Sequence, residues 1–253
     1  MNQVFESLKT GQEALCLLFQ VLRRIPDRKS WRWSDIFHFI VQMGMESLPI
    51  IALSTAFAGI VLTHQVAWHM NQALHDISMV PGFTGQFILR ELGIAIPALL
   101  FVSKSGAAIT AEVGTMKVTE QIDALRLLGI DPIHYLVFPR FIASILSSVS
   151  LTLVAIFMTL ACSIGVSVFR YHFSWIEFLN ALRHFVGPLD LLCAMVKGMV
   201  FSSVIPIISC TYGFRCQGGA EGVGNATTQS VVTSSLVIIG LDFLLTSFFL
   251  QWL

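Results

Sequence analysis

Four stretches of the chain run for two dozen residues or more with at most one charged side chain. With His counted as neutral, residues 47–75 carry no charge, and within them 48–63 (LPIIALSTAFAGIVLT) are apolar almost throughout. Residues 141–169 are equally plain. Residues 191–214 are interrupted only by Lys197, and 222–253 only by Asp242. A fifth stretch, 85–109, contains Arg90, Glu91 and Lys104. About 20 predominantly apolar residues cross the ~30 Å of hydrocarbon in a bilayer, so five membrane-spanning helices are predicted.

The first 24 residues follow a different pattern. Val4, Leu8, Leu15, Leu18 and Leu22 fall on one helical face with Phe5 and Phe19 beside them, while Glu6, Lys9, Glu13 and Gln20 lie opposite. The basic pair Arg23-Arg24 follows the apolar run, whereas a secretory signal begins basic. An amphipathic helix lying in the membrane interface is the better reading, and a helix packed on soluble structure is the alternative. The expected organisation is one domain over 1–253: an interfacial helix and linker over 1–32, then a transmembrane domain over 33–253. The fold class is all-α and polytopic.

Composition narrows the function. The 253 residues are 55% hydrophobic and 12% charged, against about 25% charged in soluble domains, and mean hydropathy is +0.77. A formal net charge of +0 offers no basic field to hold nucleic acid. Five cysteines without C-x-x-C spacing read as buried apolar residues. Seven histidines show no metal-ligand spacing, His64 and His69 lacking a third partner, so no metal is assigned. There is no phosphate-binding G-x-x-x-x-G-K-[ST] loop and no G-x-S-x-G nucleophile elbow. No catalytic residue and no cofactor are assigned, and any ATP hydrolysis belongs to another polypeptide.

Orientation follows from the basic residues. Lys9, Arg23, Arg24, Arg28, Lys29 and Arg32 precede the first span; Lys104, Lys117, Arg126 and Arg140 flank the second connection; Arg215 lies in the fourth. Only Arg170 and Arg183 lie in the third connection. Five spans with the N-terminus in the cytoplasm and the C-terminus outside put the 11 named first on the inner side and only those two outside. The longest polar connection, 111–132, then faces the cytoplasm. Val118, Ile122 and Leu125 repeat there with helical spacing, with Lys117, Glu120 and Asp123 opposite. Gly129 and Asp131-Pro132 mark the end of the helix. A short amphipathic helix tied at both ends to spans can pass force to them.

Residues 90–141, RELGIAIPALLFVSKSGAAITAEVGTMKVTEQIDALRLLGIDPIHYLVFPRF, resemble the MlaE (YrbE) family of ABC-transporter permeases, and 218–246, GGAEGVGNATTQSVVTSSLVIIGLDFLLT, resemble a second segment of it. The sequence departs from the family pattern at Pro97, which sits later than the usual proline, and at Asn225 and Gln229, where basic residues are common. The resemblance implies a homodimeric permease of the bacterial inner membrane that moves phospholipid between inner and outer membranes. It implies as partners an ABC ATPase subunit, a STAS-domain protein and a periplasmic MCE-domain protein. It further implies a coupling helix over 115–128 that docks on the ATPase, with Glu120, Gln121, Ala124 and Gly129 as its pattern. Glu112 and Asp123 are assigned to the same coupling segment.

Ionisable residues within a membrane span cost about 2.5–3.5 kcal/mol each on insertion scales and mark functional sites by default. Arg90 and Glu91, being adjacent, point about 100° apart on a helix and do not pair neatly with each other. Arg90, with Glu91 beside it, is read as a lipid-phosphate contact; a structural pair with an acid on a neighbouring span is the alternative. Lys197 and Asp242 are expected to pair with each other, with gating or substrate contact as the other role. Gly106, Ala107, Ala108 and Gly114 permit close helix approach and are candidates for a dimer seam. Residues 172–184, with Trp175, Ile176 and Phe178, read as an outer interfacial helix. Two further classes stand beside the permease: a membrane-embedded enzyme using Lys104, Glu112 or Asp242, and a secondary transporter, for which no internal repeat is found.

Overall fold

In the computed structural model the apolar runs are long helices. The structure describes residues 2–24, 32–75 and 78–251, except for the side chains of 2–10, Arg24 and Leu74. The side chains of Val4, Phe5, Glu6, Leu8 and Lys9, and Arg28 and Lys29 of the linker, lie outside the described residues. The helices are α1 (Asn2–Arg24), α2 (Trp33–Ile40), α3 (Leu48–Leu74), α4 (Val80–Phe87), α5 (Gly93–Phe101), α6 (Ala107–Val118), α7 (Gln121–Leu127), α8 (Phe138–Tyr171), α9 (Trp175–Phe185), α10 (Pro188–Phe214) and α11 (Gly219–Phe249). Single π turns, Val41–Met45, Ile88–Leu92, Val102–Gly106 and Ile133–Val137, join several of them end to end. Five runs are long and apolar enough to cross a membrane: Trp33–Ala73, Val80–Val118, Ile133–Tyr171, Pro188–Phe214 and Gly219–Phe249. No strand occurs among the described residues, and the fold is all-α and polytopic.

Two compact units divide the chain, one made of 1–47, 101–147 and 200–238, the other of 48–100, 148–199 and 239–253. In the first, small and hydroxylated residues bring the helices together, as they do where hydrocarbon offers no hydrophobic drive between helices. Thr110 of α6 donates to Ser230 of α11 (2.9 Å) and to the Ser209 carbonyl of α10 (3.2 Å). Ser144 of α8 donates to the Ser202 carbonyl (3.0 Å), and Tyr212 and Thr233 share a bond of 2.9 Å. A Cβ on Gly213 would lie 2.7 Å from that of Val113. Gly106 meets Ile205 and Ser209, and Gly114 meets Cys216 and Val223. These two glycines, candidates for a dimer seam from sequence, are therefore used inside the chain.

Helix α1 also belongs to this unit and packs against Ile133–Val137. Leu17 and Val21 are buried, while Leu15, Phe19 and Leu22 are exposed. The helix thus carries two apolar stripes, one turned to the protein and one away from it. The second suits a membrane interface.

In the second unit, α3 and α8 approach so closely that a Cβ on Gly59 would lie 2.3 Å from the Thr159 carbonyl oxygen. Thr63 and Ser163 share a bond of 2.7 Å one turn further on. Helix α9 follows Ser174, whose N–H donates to the Glu177 carboxylate (2.9 Å), a local N-terminal cap. It packs on α4, where Gly82 and Gly85 make room for Phe185 and Leu182. Its Trp175 and Ile176 are exposed while Phe178 is buried. Replacing Gly59 by Ala should destabilise the purified protein by about 1–3 kcal/mol through overpacking. Gly165→Ala in α8, where nothing lies within 4 Å of the added carbon, should have no such cost. Thermal unfolding of the two variants in detergent checks the contrast.

Candidate functional site

The second unit holds a cluster of charged side chains inside otherwise apolar helices. The π turn Ile88–Leu92 carries Arg90 and Glu91. Within it Gly93 N–H reaches back to the Ile88 carbonyl, a five-residue step that shifts the helical ladder. Lys197 of α10 donates to the backbone carbonyl of Arg90 (2.9 Å), to Glu91 Oε1 (3.3 Å), to Asp242 Oδ1 (2.9 Å) and to Thr246 Oγ1 (2.6 Å). Thr246 hands its own proton to Glu91 (2.9 Å). Arg90 turns the other way: its Nε donates to Asp190 Oδ1 at 2.8 Å, and Asp190 Oδ2 accepts the N–H of Gly187 (2.8 Å). Lys197 and Asp190 are buried. Each charge is thereby met by an opposite one, as a low-dielectric site requires.

Lys197 and Asp242 lie together here, as expected from the two interruptions of α10 and α11. Arg90 and Glu91 do not pair with each other but each finds a separate partner. Asp190 and Thr246 were not singled out from sequence. Asp190 stands one residue before the apolar run 191–214 and reads as a loop charge; its spacing of seven from Lys197, two turns along one face, was the available signal. Thr246 lies one turn beyond Asp242. A small recess opens beside the cluster, lined by Arg90, Glu91 and Lys197 and walled by Leu89, Ala194, Phe249 and Leu250.

The first unit holds the connection read as a coupling helix, and here the structure differs from the continuous helix expected over 115–128. Helix α6 ends at Val118, where the Thr119 hydroxyl bonds back to the Thr115 carbonyl (2.8 Å). A hydroxyl that competes for the backbone in this way favours helix ends. Glu120 takes a left-handed conformation (φ 59°), and α7 starts afresh at Gln121. One left-handed residue turns the chain without disturbing the spacing of Val118, Ile122 and Leu125, so the break leaves no trace in the pattern.

Lys117 spans the break to Asp123 (3.0 Å), and Arg126 reaches the same carboxylate (3.3 Å). The hydrogen bond from Lys117 is the main cause holding the Asp123 carboxyl below the usual carboxylate range. Gly129, at φ 75°, closes α7: its N–H bonds to the Arg126 carbonyl, and that of Ile130 to the Leu125 carbonyl. Ile122 is buried, whereas Glu120, Gln121 and Ala124 are exposed. Leu127 and Leu128 are 90% and 75% exposed, an apolar tip outside the five long runs.

Glu112 stands apart from α7, on the preceding helix α6. Its carboxylate accepts from Arg140 (2.8 Å) and Gln42 (3.2 Å), tying the π turn Val41–Met45 and α8 to α6. Arg140 is buried, its guanidinium 4.6 Å from the centre of the Phe39 ring. Lys104, on the π turn Val102–Gly106, donates to the Glu46 carbonyl. Among the described residues no group of three or more metal-ligating side chains occurs.

Residues 36–248 match the family model described as Permease MlaE. The chain is 38% identical over 220 residues to a probable ABC transporter permease protein of Rickettsia felis, covering 86% of this chain and 84% of that one. It is 38% identical over 211 residues to a probable ABC transporter permease protein of Synechocystis sp., covering 83% and 78%. It is 37% identical over 232 residues to the chloroplastic protein TRIGALACTOSYLDIACYLGLYCEROL 1 of Arabidopsis thaliana, covering 92% and 66%.

Lys197→Met, which strands Glu91 and Asp242, should cost about 3–5 kcal/mol in a detergent unfolding titration, and adding Asp242→Leu should recover part of that loss. Lys117→Ala should speed hydrogen exchange over 121–127. Because the Asp123 carboxyl is held low in the folded chain, its bridge is complete at neutral pH. Protection of α7 should therefore fall only as acid takes the carboxyl through its lowered range.

Proposed function

The chain belongs to the MlaE permease family, and from that premise we propose that it is the membrane-embedded subunit through which an ABC transporter moves phospholipids between the inner and outer membranes of a bacterial envelope. The observation that carries the lipid reading is the cluster around Lys197, where the guanidinium of Arg90, the ammonium of Lys197 and the carboxylate of Glu91 border a small recess with apolar walls. Arg90 commits Nε to Asp190 and keeps a forked face for a phosphate. Glu91 lies beside it, and Lys197 with Asp242 holds the three helices in register. The Arabidopsis relative bears the name of a galactolipid, which supports a lipid cargo.

ATP hydrolysis is assigned to a separate ABC ATPase, with a STAS-domain protein and a periplasmic MCE-domain protein as further subunits. In this reading α7 is the docking element. Glu120, Gln121, Ala124 and the leucine tip meet the ATPase, Asp123 braces α7 through Lys117, and Glu112 passes its movement to α8 and the first span through Arg140 and Gln42. The N-terminus faces the cytoplasm and the C-terminus the periplasm, supported by the excess of Lys and Arg on the inner connections. A second copy of the chain completes the conduit; the breadth of apolar surface left open on α11, including Leu236, Phe243 and Leu244, supports it. Residues 1–253 are taken as one permease domain, with 33–253 as its transmembrane part; the family match over 36–248, which runs through both units, supports this.

Replacing Leu127 and Leu128 together by Glu should reduce ATPase recovered with the tagged chain by about tenfold or more. Glu120→Ala with Gln121→Ala should leave the complex assembled while uncoupling ATP hydrolysis from lipid movement between vesicles. Full retention of the ATPase in the first case, or unchanged transport in the second, would remove α7 from that role.

A further inference from the structure

Glu91 and Asp242 lean on the same cation. Lys197 Nζ lies 3.3 Å from Glu91 Oε1 and 2.9 Å from Asp242 Oδ1. The other cation of the cluster is already engaged, since Arg90 Nε meets Asp190 Oδ1 at 2.8 Å. Lys197 also donates to the Arg90 carbonyl and to Thr246, so its three N–H groups face four acceptors. Lys197 is buried, and the three runs that carry these groups are long and apolar enough to cross a membrane. Two ionised carboxylates about one ammonium would leave a net charge where hydrocarbon screens it little. A carboxyl so placed keeps its proton instead.

We infer that Glu91 and Asp242 hold one proton between them at neutral pH, which makes the junction of α10, α11 and the π turn Ile88–Leu92 a protonation switch. The inference goes beyond the permease reading and holds whatever the cargo. The proton belongs to the pair rather than to either residue, while Lys197 and Thr246 both donate to Glu91 Oε1. The recess beside them has room for about one water and is lined by Arg90, Glu91, Lys197 and Thr246. A water there takes the proton from Glu91 as hydronium, or returns it. The other titratable groups of the cluster are Asp190, held by Arg90, and the Cys193 thiol on the wall of the recess. With the proton in place, Lys197 faces one negative charge and ties the three elements together. Once the proton leaves, two carboxylates repel each other across the ammonium, and the hold of α11 on the π turn weakens.

The test uses the purified full chain in detergent, unfolded at a series of pH values, together with infrared spectra of its carboxyl C=O stretch. A proton kept by the folded pair and lost by the unfolded chain makes stability fall as pH rises. From about pH 4.3, the ordinary carboxyl value, to the pH at which the folded pair lets go, the wild-type unfolding constant should rise about tenfold per pH unit relative to that of Asp242→Asn or Glu91→Gln. Each variant leaves one carboxylate to one ammonium and holds no such proton. At neutral pH the folded wild type should also show a protonated-carboxyl band, sensitive to deuterium exchange, that both variants lack. Equal pH slopes in wild type and a folded variant, or a band that the variants keep, overturns the inference. Should neither variant fold, the wild-type spectrum decides, and the absence of a protonated-carboxyl band at neutral pH overturns it.

Discussion

A charge inside hydrocarbon must find its counter-charge within the protein, and that constraint organises the second unit. Lys197 has three protons to give and is met by four acceptors drawn from the π turn Ile88–Leu92 and from α11. Asp190 is held by Arg90 on one oxygen and by the backbone of Gly187 on the other. The result ties α10 to both of its neighbours through bonds that have no competitor in a lipid surrounding. Tight packing of small residues, Gly59 on Thr159 and Gly198 on Thr152, then brings the helices near enough for those bonds to form.

The π turns give these interactions their geometry. Three of the four carry or adjoin the polar side chains discussed: Gln42 with Glu46, Arg90 with Glu91, and Lys104. A five-residue hydrogen-bond step rotates the following side chains and releases a carbonyl from the regular ladder. Both effects are used. The carbonyls of Arg90 and Glu46 each accept a lysine, and adjacent Arg90 and Glu91 reach different partners.

Much of the fold was legible in the sequence because hydrocarbon is a blunt selector. Twenty apolar residues in a row have few other uses, and the five long runs appear where the pattern put them, extended at their ends by segments rich in aromatic and polar residues. Pairing was legible only where both partners interrupted an apolar run, as Lys197 and Asp242 do. Asp190 stood at the edge of such a run and looked like any charge in a loop. The partner of Glu112 was hidden for the same reason, because Arg140 opens a span and was counted with the basic residues around the preceding connection. The break at Glu120 was invisible for a different one: a single left-handed residue changes direction without changing period. Hydrophobic spacing reports which faces are covered and says little about where the backbone turns.

The helices differ in length in a way that bears on the membrane itself. At about 1.5 Å per residue, the runs of 41, 39 and 39 residues reach nearly twice the ~30 Å of hydrocarbon, whereas those of 27 and 31 residues exceed it far less. Hydrophobic mismatch is absorbed by tilting at a cost of fractions of a kcal/mol per Å, and the three long runs have ample reserve for it. The two short ones, α10 and α11, have the least to give, and they carry Lys197 and Asp242. A change in bilayer thickness, through acyl-chain length or sterol-like stiffening, is therefore felt first at the ionic junction between them.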